Sequence, residues 1–416
     1  MENVPKKSTG MIITIVVFGL LVVGIGGYFV YDKVLNKDND SKENWNNINS
    51  NITNLNYQVK ELASGIELNS GDVFFEGDWL TSELVGNKFS IKDKSQTLFT
   101  MDLDIKMAKL TSLIKHDNNY YANVRISNDC DSEGYCTEEK SLFVKFDSNK
   151  KYQWAYEITT EFKEVLHHIA PSTFIGTNQI FYVYQTGAFS KHSQITVSMD
   201  YNGNKLFELL DTNESYGYIV DIQPKENNTY LIVEQVSITD QPSKVDLITI
   251  SSDGKELNRK THYENSLIYS SYIVDNKLFS LFTSEASEYQ YTVRMKEFNS
   301  SNEIIYNLKS QLEDSEFIYD IVDIYKYQNK YIIFTSVDKS YYDSNGEYDY
   351  SDMNLVYFIV DDTGKILSRT TVEEIKLPDD IYFYNNIYYI EGQYSVENED
   401  DDYDTTFVKR WQLTLS

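Results

Sequence analysis

One pattern returns down this chain: an alternating apolar strand, a turn carrying Asp, Asn or Gly, and a second alternating strand. It reads as LFVKFDSNKKYQW (142–154), ITVSMDYNGNKLFE (195–208), DLITISSDGKELNR (246–259) and VYFIVDDTGKILSR (356–369). Period-two alternation marks half-buried strands. Gly and Asn tolerate the positive φ that a two-residue hairpin needs. Asp200, Asn202, Gly203, Asp253, Gly254, Asp362 and Gly364 are therefore assigned to two-residue turns, as structure rather than chemistry. Each copy follows another strand with its own turn signal. Measured at the first apolar residue past that turn (Tyr120, Ile180, Tyr230, Leu278, Tyr331, Ile387), the steps are 60, 50, 48, 53 and 56 residues.

A period near 50 filled with short strands is the signature of sheets arranged radially. Aromatics at 14% of the chain, 35 Tyr and 21 Phe among them, favour strands and supply a core. Six units span 108–416, and WLTSELVGNKFSIKDKSQTLFTMD (79–102) is a shorter candidate for a seventh. The expected fold is an all-β propeller of about seven four-stranded blades, or six without the short unit; eight are not supported. The last unit shows only three strands, so closure needs one from the start of the domain, and GIELNSGDVFFEG (65–77) is the expected donor.

The stretches LFVKFDSN and VDDTGKIL resemble the PQQ-like, quinoprotein-type β-propeller repeat, a strand followed by Asp, a turn Gly, Lys and an aliphatic. The resemblance covers most of the last 300 residues. The family's blade-docking Trp is matched only at Trp154, a departure that argues against bound quinone.

Residues 11–31, MIITIVVFGLLVVGIGGYFVY, carry no charge over 21 positions, enough for a helix to cross about 30 Å of hydrocarbon. An uncleaved anchor is expected. A cleaved signal peptide is the alternative, with Gly24 and Gly26 as small residues near a cleavage site. No Cys lies near enough for a lipoprotein. Lys6 and Lys7 face Lys33, Lys37 and Lys42, so the positive-inside count is nearly even. The expected topology is a short cytoplasmic tail (1–10), a span (11–31), a linker and stalk (32–64) and an extracellular domain (65–416), in a low-GC bacterium by composition. Charges cancel over 1–43, so the net −27 belongs to the remainder. That sign disfavours nucleic acid and anionic membranes and suits basic partners or cations.

In the stalk, Trp45, Ile48, Ile52, Leu55, Val59 and Leu62 follow a 3-4-3-4-3 spacing, an a/d seam ended by Gly65. It predicts a short helix, either oligomerising through 45–62 or lying against the domain. Cys130 and Cys136 are the only cysteines. Outside a cell they predict a loop-pinning disulfide; free thiols are the alternative.

In a four-stranded blade, the 1–2 and 3–4 hairpins share one face, and the 2–3 loops and crossovers share the other. Length and variety collect in the 2–3 loops at 128–141, 339–354 and 394–406. Insertions confined to one face of a repeat protein commonly mark the binding face. These three are acidic: Asp129, Asp131, Glu133, Glu138 and Glu139; Asp343, Glu347, Asp349 and Asp352; Glu399, Asp400, Asp401, Asp402 and Asp404, with Glu397. Tyr341, Tyr342, Tyr348, Tyr350 and Tyr403 are interleaved with them. The candidate partner-binding set is Asp343, Glu347, Tyr348, Asp349, Tyr350, Asp352, Glu399, Asp400, Asp401, Asp402, Tyr403 and Asp404. Solvated loops are the plain alternative. No cofactor is expected. DSNGEYD (343–349) alternates oxygen ligands but places Gly fourth rather than sixth, so calcium is only a variant of this reading.

The chain has no Walker loop, GxSxG or HExxH. Two functions remain. The first is a membrane-tethered, non-enzymatic propeller binding a protein, peptide or glycan through its acidic Tyr-rich face. The second is an envelope carbohydrate-active hydrolase using channel carboxylates, for which convergence of carboxylates inside a concave channel is the discriminating feature.

Overall fold

The computed structural model describes residues 55–416 apart from 68–71, 95, 131–135, 138–139, 159–171, 189–190, 214–215, 239–240, 267, 285–286, 299–301, 314–315, 340–352 and 397–404. Its strands pair into seven four-stranded antiparallel sheets and one two-stranded ribbon. In chain order the sheets are blade 1 (73–102), blade 2 (107–158), blade 3 (172–213), blade 4 (216–266), blade 5 (268–306), blade 6 (316–376) and blade 7 (378–415). The short unit at 79–102 is thus a full blade. Its inner strand, Val73–Phe75, extends it upstream.

Alternation puts one apolar set on each side of every sheet, and neighbouring sheets bury those sets together. Phe99, Leu113 and Phe146 fill the space between blades 1 and 2. Phe143 and Tyr182 do so between 2 and 3, where Trp154 packs partly buried. Phe181 and Tyr230 join 3 to 4, Val233 and Phe282 join 4 to 5, and Phe279, Tyr306 and Phe358 join 5 to 6. Tyr325 meets Tyr388 between blades 6 and 7, with ring centroids 5.2 Å apart.

The seventh interface closes the ring. Phe74 of blade 1 stacks on Tyr382 of blade 7 at 4.6 Å and contacts Tyr389 at 5.0 Å. Beside them Arg410 donates to Asp72 Oδ2 at 2.8 Å and to Glu391 Oε2 at 2.7 Å, with its guanidinium 4.7 Å from the Trp79 ring. Arg410 and Asp72 are buried, so this pair ties the last blade to the first where water does not screen it.

Closure uses an N-terminal strand, as expected, but a different segment. Tyr57–Glu67 is the outer strand of blade 7, antiparallel to Thr405–Leu415. The helix read through Leu55, Val59 and Leu62 is therefore corrected to a strand from Tyr57 onward. The cause is visible in the register. Shifts between Glu61 and Ala63 and between Ala63 and Ile66 break the period of two. The more buried set becomes Tyr57, Val59, Ala63 and Ile66, while Leu62, which the helical seam places on the apolar side, is exposed. Residues 45–54 and the apolar span 11–31 lie outside the described residues; among those described, no helix is long and apolar enough to cross a membrane.

The turns also differ from the uniform two-residue reading. At the 1–2 hairpins, Asp117-Asn118, Asp275-Asn276 and Asn385-Asn386 have positive φ at both residues, the two-residue type I′ form. The 3–4 turns of blades 2, 3, 4 and 6 are longer. Asp200 N–H donates to the Asn204 carbonyl at 2.9 Å and Gly203 N–H to the Asp200 carbonyl at 3.0 Å. That makes a three-residue loop ending in a left-handed Gly, φ 87° at Gly203. The first Asp holds it: Asp200 Oδ1 accepts from the Asn202 and Asn204 N–H groups at 2.9 and 2.8 Å, and Asp361 does the same for Thr363 and Lys365. Asp253 and Asp362 are inside their turns rather than at this anchoring position.

Candidate functional site

Asp is among the poorest strand formers, yet it recurs in the inner strands. Counted back four residues from the last inner-strand position before the 1–2 turn, which in blade 3 is Gly176, its N–H donating to the Gln179 carbonyl, blades 2 to 7 place Ser112, Ser172, Asp221, Ser270, Asp323 and Asp380 at one register. Each inner strand is the one nearest the axis, so this register forms a polar band around the channel. The backbone is irregular at that level. Register shifts lie between Leu110 and Ser112, Ile219 and Asp221, Ile268 and Ser271, Ile321 and Asp323, and Pro378 and Asp380. A bulge leaves one residue unpaired and re-aims its neighbours. Blade 6 has a second, between Ile318 and Asp320, and in blade 7 the extra residue is itself Asp379.

Blades 6 and 7 thereby bring Asp320, Asp323, Asp379 and Asp380 to the loop end of the channel. Asp320, Asp379 and Asp380 border a cleft of about 440 Å³ with Tyr272, Tyr319 and Gln393. Asp320 accepts from its neighbour Ile321 N–H at 2.7 Å and from the Ser270 hydroxyl of blade 5 at 3.3 Å. Asp323 accepts from Ile324 N–H at 2.6 Å, and Gln393 donates to Asp379. Tyrosines fix the Asp-Ile peptides from the blade before: Tyr272 donates to the Ile321 carbonyl, and Tyr325 to the Ile381 carbonyl at 2.9 Å.

Burial pushes the carboxyl of Asp323 up to about 6. It does the same for Asp380, also to about 6, with the charges of Asp379, Glu391 and Asp323 adding to it. Asp320 is raised by burial and by Asp379, and Asp379 by burial. Asp221 is raised by burial, while Gln223, the Ile222 N–H and Lys225 pull the other way. Asp320, Asp379 and Asp380 keep solvent access despite these shifts. Groups that line a water-filled concavity and face one another behave this way. Among the described residues, no three His, Cys, Asp or Glu side chains stand in a metal-holding arrangement.

The opposite end of the same strands is built differently. There Lys115 of blade 2 pairs with Glu76 of blade 1 at 3.2 Å, and Lys326 of blade 6 with Asp275 of blade 5 at 2.6 Å. Lys225 of blade 4 donates to Asn276 of blade 5 at 2.6 Å.

The candidate residues of the second and third acidic excursions, Asp343 to Asp352 and Glu399 to Asp404, lie outside the described residues. Their roots are described. Lys330–Lys339 and Asn354–Asp361 flank the second, and Ile387–Val396 and Thr405–Leu415 the third, as strands 2 and 3 of adjacent blades. Met353 and Gln393, close to those roots, border the same cleft. The first excursion rises from blade 2, where Asp129–Cys130 pairs with Cys136–Thr137 and sets Cys130 opposite Cys136. The channel carboxylates themselves were missed as site residues. Their signal is an Asp-Ile pair inside an inner strand: VDI at 220–222, YDIVDI at 319–324 and DDI at 379–381.

No protein-family model matches the sequence, and no curated protein does. Solved structures with similar folds include a puromycin-hydrolyzing peptidase of Mycobacterium tuberculosis, at 8% identity and TM-score 0.42, over 81% of this chain and 50% of that one. Prolyl oligopeptidase B of Galerina marginata matches at 9% identity and TM-score 0.43, over 85% of this chain and 46% of the other. An ACO/RPE65 chimera matches at 9% and 0.43, over 79% and 73%. The chain spans about half the length of the two peptidases. The blade number rests on the strand pairing within this chain.

Proposed function

We propose that this chain is a non-enzymatic binding module that holds a basic segment of a protein partner at the loop-end mouth of its channel. The single observation carrying this reading is the convergence of Asp320, Asp323, Asp379 and Asp380 from two adjacent blades, all raised chiefly by burial and, at Asp320 and Asp380, further by repulsion from neighbouring carboxylates. A Lys or Arg side chain entering the cleft relieves that repulsion and forms charge-assisted hydrogen bonds. The acidic Tyr-rich excursions 343–352 and 399–404, whose flanking strands belong to the same two blades, add charge of the same sign that steers the partner. In this reading residues 11–31 tether the module with the propeller outside the cell, and a Cys130–Cys136 disulfide pins the first excursion.

The test is binding of a fluorescent decalysine peptide to the full chain at fixed low salt. Asp323→Asn with Asp380→Asn is expected to weaken it about tenfold or more. Equal affinity in both proteins removes the channel mouth from the reading.

A second reading, glycoside hydrolysis, draws on Asp323 and Asp380, both pushed up to about 6, so that a protonated and an ionised carboxyl coexist in mildly acidic solution near that pH. Turnover of an aryl glycoside panel that disappears in either single Asn variant would select it over binding.

A further inference from the structure

The turn face carries its own concavity, of about 620 Å³, between blades 4 and 5. Leu231 and Leu247 form its apolar floor, and Lys225, Lys260 and Lys277 stand around it with the ring of Phe298. In a chain of net charge −27 this cleft runs against the prevailing sign.

The lysines are not equivalent. Lys277 has a carboxylate partner, Glu297 at 3.7 Å, and lies over the Tyr331 ring. Lys225 donates to Asn276 Oδ1 at 2.6 Å and Gln223 Oε1 at 3.4 Å, with its ammonium 5.2 Å from the Phe298 ring. Lys260 donates to the Phe298 carbonyl at 3.1 Å. Among the described residues, Lys225 and Lys260 make no ion pair; neutral acceptors hold them against the same aromatic residue. The two acids at the rim are engaged elsewhere, Asp275 by Lys326 at 2.6 Å and Glu297 by Lys277. Burial lowers the proton affinity of Lys225, and Asp221 only partly restores it. A partly desolvated ammonium whose neighbouring carboxylate only partly offsets its burial gains from an anion placed beside it.

We propose that this cleft binds a small organic anion, an apolar body carrying one carboxylate or phosphate. The anionic head lies between Lys225 and Lys260, and the body covers Phe298 and the Leu231–Leu247 floor. The volume falls in the range of small-molecule sites, which combine an apolar lining with a few placed polar groups. The site is on the opposite face from the carboxylate mouth and stands independently of the function proposed for it.

Phenyl phosphate is the probe, titrated calorimetrically into the full chain, with inorganic phosphate and phenol as its separate halves. Phenyl phosphate is expected to bind about tenfold or more tightly than either half. Lys225→Gln and Lys260→Gln should each weaken it about tenfold, Lys260→Arg should preserve it, and Asp323→Asn should leave it unchanged. Lys260 is exposed, so Lys260→Gln reports on binding even if the Lys225 variant fails to fold. Undiminished phenyl phosphate binding in Lys260→Gln, or no heat of binding to the unaltered chain at about 10 mM, overturns the proposal.

Discussion

The seven inner strands have two ends, and the two are built on opposite terms. At the turn end, tight I′ hairpins bring each blade against the next, and carboxylates there have lysines of their own: Glu76 has Lys115 and Asp275 has Lys326. At the loop end, the strands are bulged, and Asp320, Asp323, Asp379 and Asp380 crowd together with raised carboxyls. The same backbone thus spends its charge on cohesion at one end and leaves it uncompensated at the other. Uncompensated, partly buried charge lowers stability, and the partner proposed above would offset that cost.

Three perturbations sharpen that contrast. The largest belongs to neither end but to the seam that makes a ring of them. Arg410→Ala leaves Asp72 and Glu391 facing each other without their cation. Unfolding in urea should show a loss of about 3–5 kcal/mol; a loss below about 1 kcal/mol would mean that closure rests on Phe74 and Tyr382 alone.

An intermediate effect is expected at the loop end, with its sign set by linkage. Asp323 and Asp380 titrate near 6 when folded, against about 4 for an unfolded carboxyl. Between those values the folded state binds more protons, so their contribution is full below about pH 4 and is lost as pH rises through 6. Asp323→Asn with Asp380→Asn should therefore raise stability at pH 7, by about 1 kcal/mol after solvent screening. It should also flatten the fall in melting temperature between pH 4 and 6. A destabilised double variant would make these residues structural.

The smallest effect is expected at the turn end. Lys326 and Asp275 are both well exposed, and such pairs contribute about 0.5 kcal/mol or less. Lys326→Gln should move the urea midpoint only marginally. A loss above about 1.5 kcal/mol would show that the turn-end links act as a cooperative ring.

Much of the ring was legible because turns and alternation report directly on hairpins. Period, sheet size and the need for an N-terminal closing strand all followed from those signals. What misled was local irregularity. Two register shifts in Tyr57–Glu67 break its alternation, so the strand lacks a period-two signal and Leu55, Val59 and Leu62 read as a helical seam. The candidate site was hidden differently: Asp221, Asp323 and Asp380 each stand four residues before the 1–2 turn, a level that means something only once these segments are known to be inner strands. Abundant Asp and Glu elsewhere drowned the Asp-Ile pattern, and attention went to the excursions, where acidic residues are dense in sequence. The cleft between blades 4 and 5 had no sequence signal at all, because Lys225, Lys260 and Phe298 come from three segments far apart in the chain.

The most direct test of the contrast between the two ends is a carboxyl-carbon NMR titration of Asp323 and Asp380 in the folded chain, using aspartate labelled at the side-chain carbonyl and assigned through the Asn variants. Both resonances should move with midpoints near 6. Midpoints near 4 for both would mean that the loop-end mouth is open to bulk water, and that the carboxylates do not face one another across a closed ring.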